Sequence, residues 1–208
     1  VMLMVRIRAC HVTGQFETRD NRPPPLNVRD ALSNPRSDFN RVVLPPMSYV
    51  HEQDKVTNRW PAAEKFIVEH KLNERFGPAA GKVGIIVQGG MYNGLIRALQ
   101  RLGLADVYGD TDLPVFCLNV TYPLVSSEVL AFAKGKAALL VVEEGQPEFI
   151  EQAMGAMLYR SGASQALHGK DVLPMAGEYT GAVMLEGVTA FLRKAAPEFL
   201  PGQVRAPN

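Results

Sequence analysis

Two adjacent glutamates, Glu143 and Glu144, are the residues of this sequence whose type and position most directly suggest chemistry. They follow an apolar run, residues 138–142, and they precede Pro147, which can open a helix. Carboxylates at the end of a buried strand can act as general acid and base. The same charges also suit the positive end of a helix, where they would cap it or contact a neighbouring domain. Because no histidine or nucleophile is close in sequence, we predict the capping or domain-contact role.

A glycine-rich turn, residues 88–94 (QGGMYNG), is similar in composition to a phosphate-binding loop. It lacks both the G-x-G-x-x-G order of dinucleotide sites and the Gly-Lys-Ser/Thr ending of P-loops. The next predicted strand is followed by Asn119 and Thr121, so the acid that would bind a ribose is missing. We therefore predict a tight turn, with Tyr92 and Asn93 placed at a helix start to meet a ligand or a neighbouring domain. A self-contained nucleotide- or flavin-binding Rossmann-like module that uses this turn stays open as the alternative.

Residues that could bind a metal are few and poorly placed. Cys10, His11 and His51 could be combined, but adjacent side chains at a strand end point to opposite faces. Cys10 and Cys117 are the only two cysteines, so the chain cannot supply the four thiolates of an iron–sulfur cluster. We predict no catalytic, cofactor-binding or metal-binding residue in this chain. The four strand-end residues above remain as candidates for a ligand or domain contact.

Composition indicates a folded protein that binds neither nucleic acid nor membranes. The 208 residues are 47% hydrophobic, which is enough for a full core. A net charge of +1, from 22 basic and 21 acidic residues, gives no electrostatic reason to bind nucleic acid or anionic lipid. No stretch approaches the ~20 apolar residues that span a bilayer. Because the apolar residues 1–7 are too few for a secretory signal, we expect reduced cysteines and a cytoplasmic protein.

Strands that alternate with helices are expected to position the candidate residues. Continuous apolar runs of strand length occur at residues 83–87, 113–118 and 138–142. Their alternation with helical patterns predicts a parallel sheet with right-handed crossovers. We expect a Rossmann-like three-layer α/β/α domain with a mostly parallel sheet, a short edge strand at 163–167 and a last helix capped by Thr180. Ligands of such sheets bind beyond the carboxyl ends of the strands, which here are the turns at 88–93, 119–122 and 143–146.

The N-terminal part of the chain has a different pattern. Residues 1–8 predict a buried strand, and the prolines between residues 10 and 56 predict an irregular segment. Asn58 is expected to cap a helix that ends near Phe76. The predicted buried stripe of this helix consists of Trp60, Ala63, Ile67 and His70. We divide the chain into residues 1–56, the tail of a preceding domain with a wrapping linker, and residues 57–208, the α/β domain.

The order of several segments matches a known family. Residues 83–93 (VGIIVQGGMYN), 119–124 (NVTYPL) and 140–150 (LVVEEGQPEFI), followed by 169–174 and 177–180, resemble one domain of the 2-oxoacid:ferredoxin oxidoreductases. That domain is the middle one, which is similar to the C-terminal domain of transketolase. The closest resemblance is to the indolepyruvate ferredoxin oxidoreductases. Residues 5–14 are similar to the last strand of the pyrimidine-binding domain that precedes it in the family.

The resemblance implies a structural domain fragment of a larger enzyme that is inactive alone. The parent enzyme would use thiamine diphosphate, magnesium, iron–sulfur clusters and coenzyme A to convert a 2-oxoacid, here an aryl pyruvate, into an acyl-CoA. The family's thiamine-activating glutamate, Gly-Asp-Gly motif and cluster cysteines have no counterpart here, since the only Gly-Asp is followed by Thr111. Expected partners are the other domains or subunits, ferredoxin through the parent enzyme, and a second copy of this chain through residues 1–8.

Overall fold

The structure is a computed structural model that describes residue 15, residues 27–33 and residues 42–200. The chain divides into two units between His51 and Glu52, and the α/β fold belongs to the second. The strand predicted at residues 1–8 lies outside the described residues. Cys10 and His11 of the rejected metal site lie outside them as well.

Two helices lie in the segment that was expected to be irregular. Helix α1 spans Val28–Ser33 and helix α2 spans Met47–Asp54. The side-chain oxygen of Asn27 begins α1, because it accepts a backbone N–H three residues later at 2.8 Å. Pro46 immediately precedes α2, where a missing N–H costs no helical hydrogen bond. The structure differs from the expectation here because prolines mark the approach to a helix as well as a loop.

The helix predicted from Asn58 begins earlier than expected. Helix α2 continues through a π-helical turn, Lys55–Arg59, into α3, which spans Trp60–Glu69. Asn58 therefore lies inside the turn and not at a cap, and its amide donates to Asp54 at 2.9 Å. Of the predicted buried stripe, only Ile67 is buried. Most of α3 faces solvent.

The chain forms a strand where the end of that helix was predicted. Lys71 adopts a left-handed φ of 49°, and the N–H of Leu72 donates to the carbonyl of Ile67 at 3.0 Å, which ends α3. Strand β1, Glu74–Phe76, then pairs antiparallel with residues 115–117. The helix prediction was wrong over these residues, because pairing with a distant strand is a tertiary contact that local spacing does not show.

A five-stranded sheet organises the second unit. After β1 its strands are β2 (Val83–Gln88), β3 (Val115–Leu118), β4 (Ala138–Val142) and β5 (Ala166–His168). The order across the sheet is β1-β3-β2-β4-β5, and every pairing except β1 with β3 is parallel. The predicted bounds of β4 are confirmed, and the edge strand forms a few residues later than predicted.

Helices cover both faces of the sheet. They are α4 (Tyr92–Arg101), α5 (Ser126–Ala133), α6 (Phe149–Arg160) and α7 (Gly181–Ala195). Ile85 of β2 packs in a cluster with α4 and α7, whereas its neighbour Ile86 packs in a second cluster with α5 and α6. Successive strand residues point to opposite faces, so one strand contributes to both cores. The predicted three-layer α/β/α fold is confirmed.

The last helix begins where the sequence indicated. The side-chain oxygen of Thr180 accepts the N–H of Val183 at 3.4 Å, which caps α7. Its buried side includes Met184, Val188 and Phe191. Among the helices of residues 27–33 and 42–200, none has the length and apolarity that crossing a membrane requires.

Candidate functional site

The carboxyl ends of three parallel strands lie side by side. Gln88 at the end of β2 pairs with Leu118 at the end of β3, and Val142 at the end of β4 pairs with Val87. The segments that follow these strands therefore leave the sheet on the same side, at the carboxyl ends of the strands. We call this side the strand edge. Open parallel sheets bind ligands beyond this edge, so it is the candidate site.

The Glu143 side chain is buried at this edge and caps α6. Its residue is 5% exposed, and both carboxylate oxygens accept the N–H of Ile150 at 3.0 Å. One oxygen also accepts the N–H of Glu151 at 3.1 Å. These donors belong to the first turn of the helix, whose N–H groups have no intrahelical partner. The carboxylate thus compensates the positive end of α6.

Glu144 makes a different set of contacts from its neighbour. One carboxylate oxygen accepts the N–H of Tyr179 at 2.7 Å. The backbone N–H of Glu144 donates to the side-chain oxygen of Gln88 at 3.0 Å. Glu144 therefore connects the end of β4 with the end of β2 and with the loop that precedes α7.

Lys170 completes this network, although its role was not predicted from the sequence. Its ammonium donates to the carbonyl of Glu143 at 2.5 Å and to the hydroxyl of Tyr179 at 2.7 Å. Its backbone N–H donates to the Glu151 carboxylate at 2.9 Å. Burial lowers the pKa of the ammonium, although the negative charges of Glu143 and Glu151 act to raise it.

Tyr179 is the second member that was not predicted. Burial, followed by the charges of Glu143 and Glu144, raises the pKa of its hydroxyl to about 12. The hydroxyl is therefore protonated near neutral pH, and it donates to the carbonyl of Pro174 at 2.7 Å. Lys170 and Tyr179 lie in segments that the sequence marked only by their family resemblance, because a loop has no periodicity that indicates burial.

Tyr92 and Asn93 lie at the start of α4, as predicted, but they contact other parts of the fold. The ring of Tyr92 packs on Phe76 of β1, with centroids 4.7 Å apart. Burial, followed by Cys117 and Glu74, raises the pKa of the Tyr92 hydroxyl. Asn93 is exposed. A cavity beside Glu143 opens at the strand edge, and neither Tyr92 nor Asn93 lines it.

The glycine-rich turn is explained by a close contact within the protein. A Cβ atom at Gly89 would lie 2.7 Å from the side-chain oxygen of Asn119. The amide of Asn119 donates to the carbonyl of Leu72 at 3.0 Å and to Glu74 at 2.8 Å. Gly89 thus allows the end of β3 to be anchored beside β2. No described contact of this turn resembles a phosphate cradle.

A cavity of about 730 Å³ opens at the same edge of the sheet. It lies among the starts of α3, α5 and α6 and the end of β2. Its lining combines aromatic, aliphatic and polar side chains: Trp60, Glu64, Gln88, Thr121, Tyr122, Leu124, Ser126, Glu143, Phe149, Ile150, Ala153 and Met157. The strand ends of this cavity were predicted from the sequence, but the wall that α3 supplies was not.

Trp60 forms an aromatic corner of the cavity. Its ring meets that of Tyr122 edge to face, with centroids 5.0 Å apart and planes at 82°. Its indole N–H donates to the Glu64 carboxylate at 3.1 Å. The π-helical turn ends immediately before Trp60.

The thiamine diphosphate and magnesium implied for the parent enzyme do not fit this edge. Both oxygens of Glu143 already accept backbone N–H groups. Within the described part of the chain, no lysine or arginine lines the cavity to bind a diphosphate. Within the part of the chain that the structure describes, no three His, Cys, Asp or Glu residues are grouped to hold a metal ion. No reaction step is assigned to either group here.

Known proteins resemble this chain over more than half of its length. The family model described as indolepyruvate oxidoreductase domain matches residues 73–188. The indolepyruvate oxidoreductase subunit IorA of Methanothermobacter marburgensis is 28% identical over 194 residues, which are 91% of this chain and 29% of that protein. IorA of Pyrococcus abyssi is 31% identical over 121 residues, 58% of this chain and 18% of that protein. A solved structure, "Split gene transketolase, inactive beta4 tetramer", has a TM-score of 0.43 and 19% identity over 57% of this chain and 39% of that chain.

The family match includes the whole sheet and the strand-end network. Residues 73–188 run from just before β1 into α7, and they contain Glu143, Glu144, Lys170 and Tyr179. They make up more than half of the 208-residue chain. The chain spans 29% of the length of its Methanothermobacter marburgensis relative. The resemblance read from the sequence is confirmed, and the chain belongs to the indolepyruvate oxidoreductase domain family.

Proposed function

We propose that this chain is a structural domain of a thiamine-diphosphate-dependent 2-oxoacid ferredoxin oxidoreductase that acts on an aryl pyruvate. The family match over residues 73–188 is the observation that carries this proposal. Relatives named as indolepyruvate oxidoreductase subunits support an aryl pyruvate as the substrate class. Because the chain spans 29% of such a relative, we place thiamine diphosphate, magnesium, coenzyme A and iron–sulfur clusters on other domains or subunits.

The proposed whole enzyme carries out an oxidative decarboxylation. A 2-oxoacid and coenzyme A become an acyl-CoA, carbon dioxide and a proton. The two electrons released reduce two ferredoxin molecules, one electron each. Residues 1–56 would belong to the tail of the preceding domain with its linker, residues 57–208 would form the middle domain, and the enzyme would act in the cytoplasm. A second copy of the chain would pair through residues 1–8.

The strand-end network supports a bracing role for this domain. Glu143 and Lys170 use their charged groups to join β4, α6 and the loop before α7. A carboxylate and an ammonium committed in this way are poor general acids and bases. We assign the strand ends that carry Glu144, Tyr92 and Asn93 to contacts with other domains.

The proposal is tested by capturing the natural protein with an antibody raised against this 22.8 kDa chain. The captured material should contain a larger polypeptide that reacts with the antibody. It should also reduce methyl viologen only when indolepyruvate and coenzyme A are both present. The isolated chain should show no such reduction. A natural protein of the chain's own mass that carries no such activity, alone or with captured partners, would contradict the proposal.

A further inference from the structure

The cavity at the strand edge combines aromatic rings with negative charge. The rings of Trp60, Tyr122 and Phe149 line it together with the carboxylates of Glu64 and Glu143. Among residues 27–33 and 42–200, no lysine or arginine lines the cavity. The Glu143 carboxylate compensates the positive end of α6, so the attraction for a positively charged group inside the cavity comes mainly from the Glu64 carboxylate and the ring faces.

The aromatic rings are arranged so that they can contact a ligand. Trp60 and Tyr122 stand nearly perpendicular, at 82°, and form two walls of a corner. Tyr122 and Phe149 are largely exposed, so their rings are not packed in the hydrophobic core. Cations bind to the electron-rich faces of such rings, and cages of this composition recognise quaternary ammonium groups.

The size of the cavity indicates a small molecule as its occupant. Its volume of about 730 Å³ lies within the range of ordinary ligand sites. Leu124, Ile150 and Met157 add apolar side chains to the lining. A ligand that fills the cavity must therefore carry an apolar body as well as a charge.

The backbone before Trp60 gives a second indication of function. The five-residue π-helical turn Lys55–Arg59 ends directly before Trp60, whose ring lines the cavity. Such turns are rare, and they occur frequently at functional sites. Glu64, one helical turn later, accepts the indole N–H and holds the ring in place.

We propose that this cavity binds a small organic cation in which a positively charged nitrogen is joined to a flat apolar body. The charged nitrogen lies among the Trp60 and Tyr122 rings and the Glu64 carboxylate, and the apolar body contacts Ile150 and Met157. The same charges exclude carboxylates, so a 2-oxoacid does not bind here. The inference does not depend on the oxidoreductase proposal, because it rests on the composition and geometry of the cavity.

The chain offers a local reporter for this site, because Trp60 is its only tryptophan. The test is a titration of tryptophan fluorescence in the full chain with benzyltrimethylammonium, benzyl alcohol and phenylacetate. The three probes share a phenyl ring and differ in charge. We expect saturable binding of the cation, about tenfold tighter than benzyl alcohol, and weaker binding of the anion than of either. Added salt should reduce the preference for the cation.

Substitutions at the cavity separate this site from unspecific binding. Glu64→Gln keeps an oxygen for the indole N–H but removes a charge, and Tyr122→Leu removes a ring. Each should weaken benzyltrimethylammonium about threefold to tenfold, without a matching change for benzyl alcohol. The control is Tyr159→Leu, which also removes a tyrosine ring but lies on α6 outside the cavity lining and is 86% exposed. It should bind the cation like the parent chain.

Several results would overturn the inference. They are the absence of a fluorescence response to millimolar benzyltrimethylammonium, equal affinity for the charged and uncharged probes, and unchanged cation binding in both cavity variants. The probe comparison uses the unaltered chain, so it decides the question even if a variant does not fold. None of these three results bears on whether the natural protein belongs to a larger oxidoreductase.

Discussion

At the scale of single residues, Glu143 and Glu144 show how two neighbouring carboxylates acquire different roles. Side chains next to each other at a strand end point to opposite sides. Glu143 therefore reaches the first turn of α6, while Glu144 reaches Tyr179 in the loop before α7. A buried charge is costly unless hydrogen bonds compensate it, and the N–H groups of Ile150 and Glu151 do so for Glu143.

The substitution Glu143→Gln should destabilise the chain. The amide keeps one acceptor oxygen but turns an NH₂ group toward the N–H donors of α6, and it loses the charge that suits the helix end. We expect a loss of about 1–2 kcal/mol in the free energy of unfolding, measured by urea denaturation. Glu186→Gln, at an exposed position on α7, serves as the control and should leave the urea midpoint unchanged. Equal stability of both variants would contradict the capping role.

A second residue, Asp171, should make stability depend on acidity. Burial acts to raise its pKa, but hydrogen bonds from Lys194, His168 and the N–H of Gly169 outweigh burial and hold the pKa well below its usual range. Stability from a carboxylate whose folded pKa is lowered is present above the unfolded pKa of about 4 and is lost as the pH falls below it. Because the side chain is 43% exposed, we expect about 1 kcal/mol or less.

The measurement is a series of urea midpoints from neutral pH to pH 3. Asp171→Asn should lower the midpoint at neutral pH, and the difference from the parent chain should shrink as the pH falls. Asp112→Asn, at an exposed position, is the matched control. A difference between Asp171→Asn and parent that stays constant down to pH 3 would count against the pKa shift.

At the scale of elements, the helices that leave the strand edge are fixed at their first turns. The Glu143 carboxylate accepts an N–H from the first turn of α6, and the Thr180 hydroxyl accepts one from the first turn of α7. The two starts are connected, because Lys170 contacts both the carbonyl of Glu143 and the hydroxyl of Tyr179. The edge of the sheet is thus braced by hydrogen bonds between elements, while the faces are held by apolar packing.

Removal of the α7 cap should have a small, specific effect. Thr180→Ala deletes the acceptor of the Val183 N–H, and we expect a loss of about 0.5–1 kcal/mol of unfolding free energy. Thr180→Ser retains the hydroxyl and should recover most of the stability. Both variants are compared with the parent by thermal denaturation followed by circular dichroism. If serine and alanine were equally destabilising, the hydroxyl would not be the cause.

At the scale of the whole molecule, the sheet separates two apolar cores, and the cavity opens at the carboxyl ends of its strands. Apolar clusters on either face contain Ile85 and Ile86 of the same strand. The exposed edge contains the cavity, whose aromatic and acidic lining is unsuited to phosphate groups. This lining argues against a nucleotide- or flavin-binding module. So does Gly89, because its missing side chain makes room for Asn119 and not for a phosphate.

The melting temperature of the chain should therefore not respond to nucleotides. At millimolar NAD, FMN or ATP we expect no increase, because the cavity presents aromatic rings and the Glu64 carboxylate to the phosphates. A ligand present at 100 times its dissociation constant would add about 2.7 kcal/mol, which differential scanning fluorimetry detects as a shift of several degrees. Benzyltrimethylammonium in the same assay is the positive comparison. A clear shift with any of the three nucleotides would restore the alternative.

The fold could largely be predicted, whereas the site could be predicted only in part. Strand β4 has the predicted bounds, because a strand buried on both faces is a continuous apolar run in the sequence. The Thr180 cap was found for a similar reason, since a cap is a local hydrogen bond. The candidates Glu143 and Glu144 were recognised from their position after β4. Lys170 and Tyr179 were not, because their partners lie 27 and 35 residues away along the chain.

The sequence by itself determined the α/β/α class, the family and the residues at the strand ends, because these depend on local spacing and on the order of segments. Only the tertiary structure decided that β1 replaces the end of a helix, that Glu143 caps α6, and that Trp60 meets Tyr122 across a cavity. Each of these contacts joins residues that are distant in sequence or distinguishes two uses of one carboxylate. The periodicity of a chain records which side chains are buried, but it does not record which of them meet.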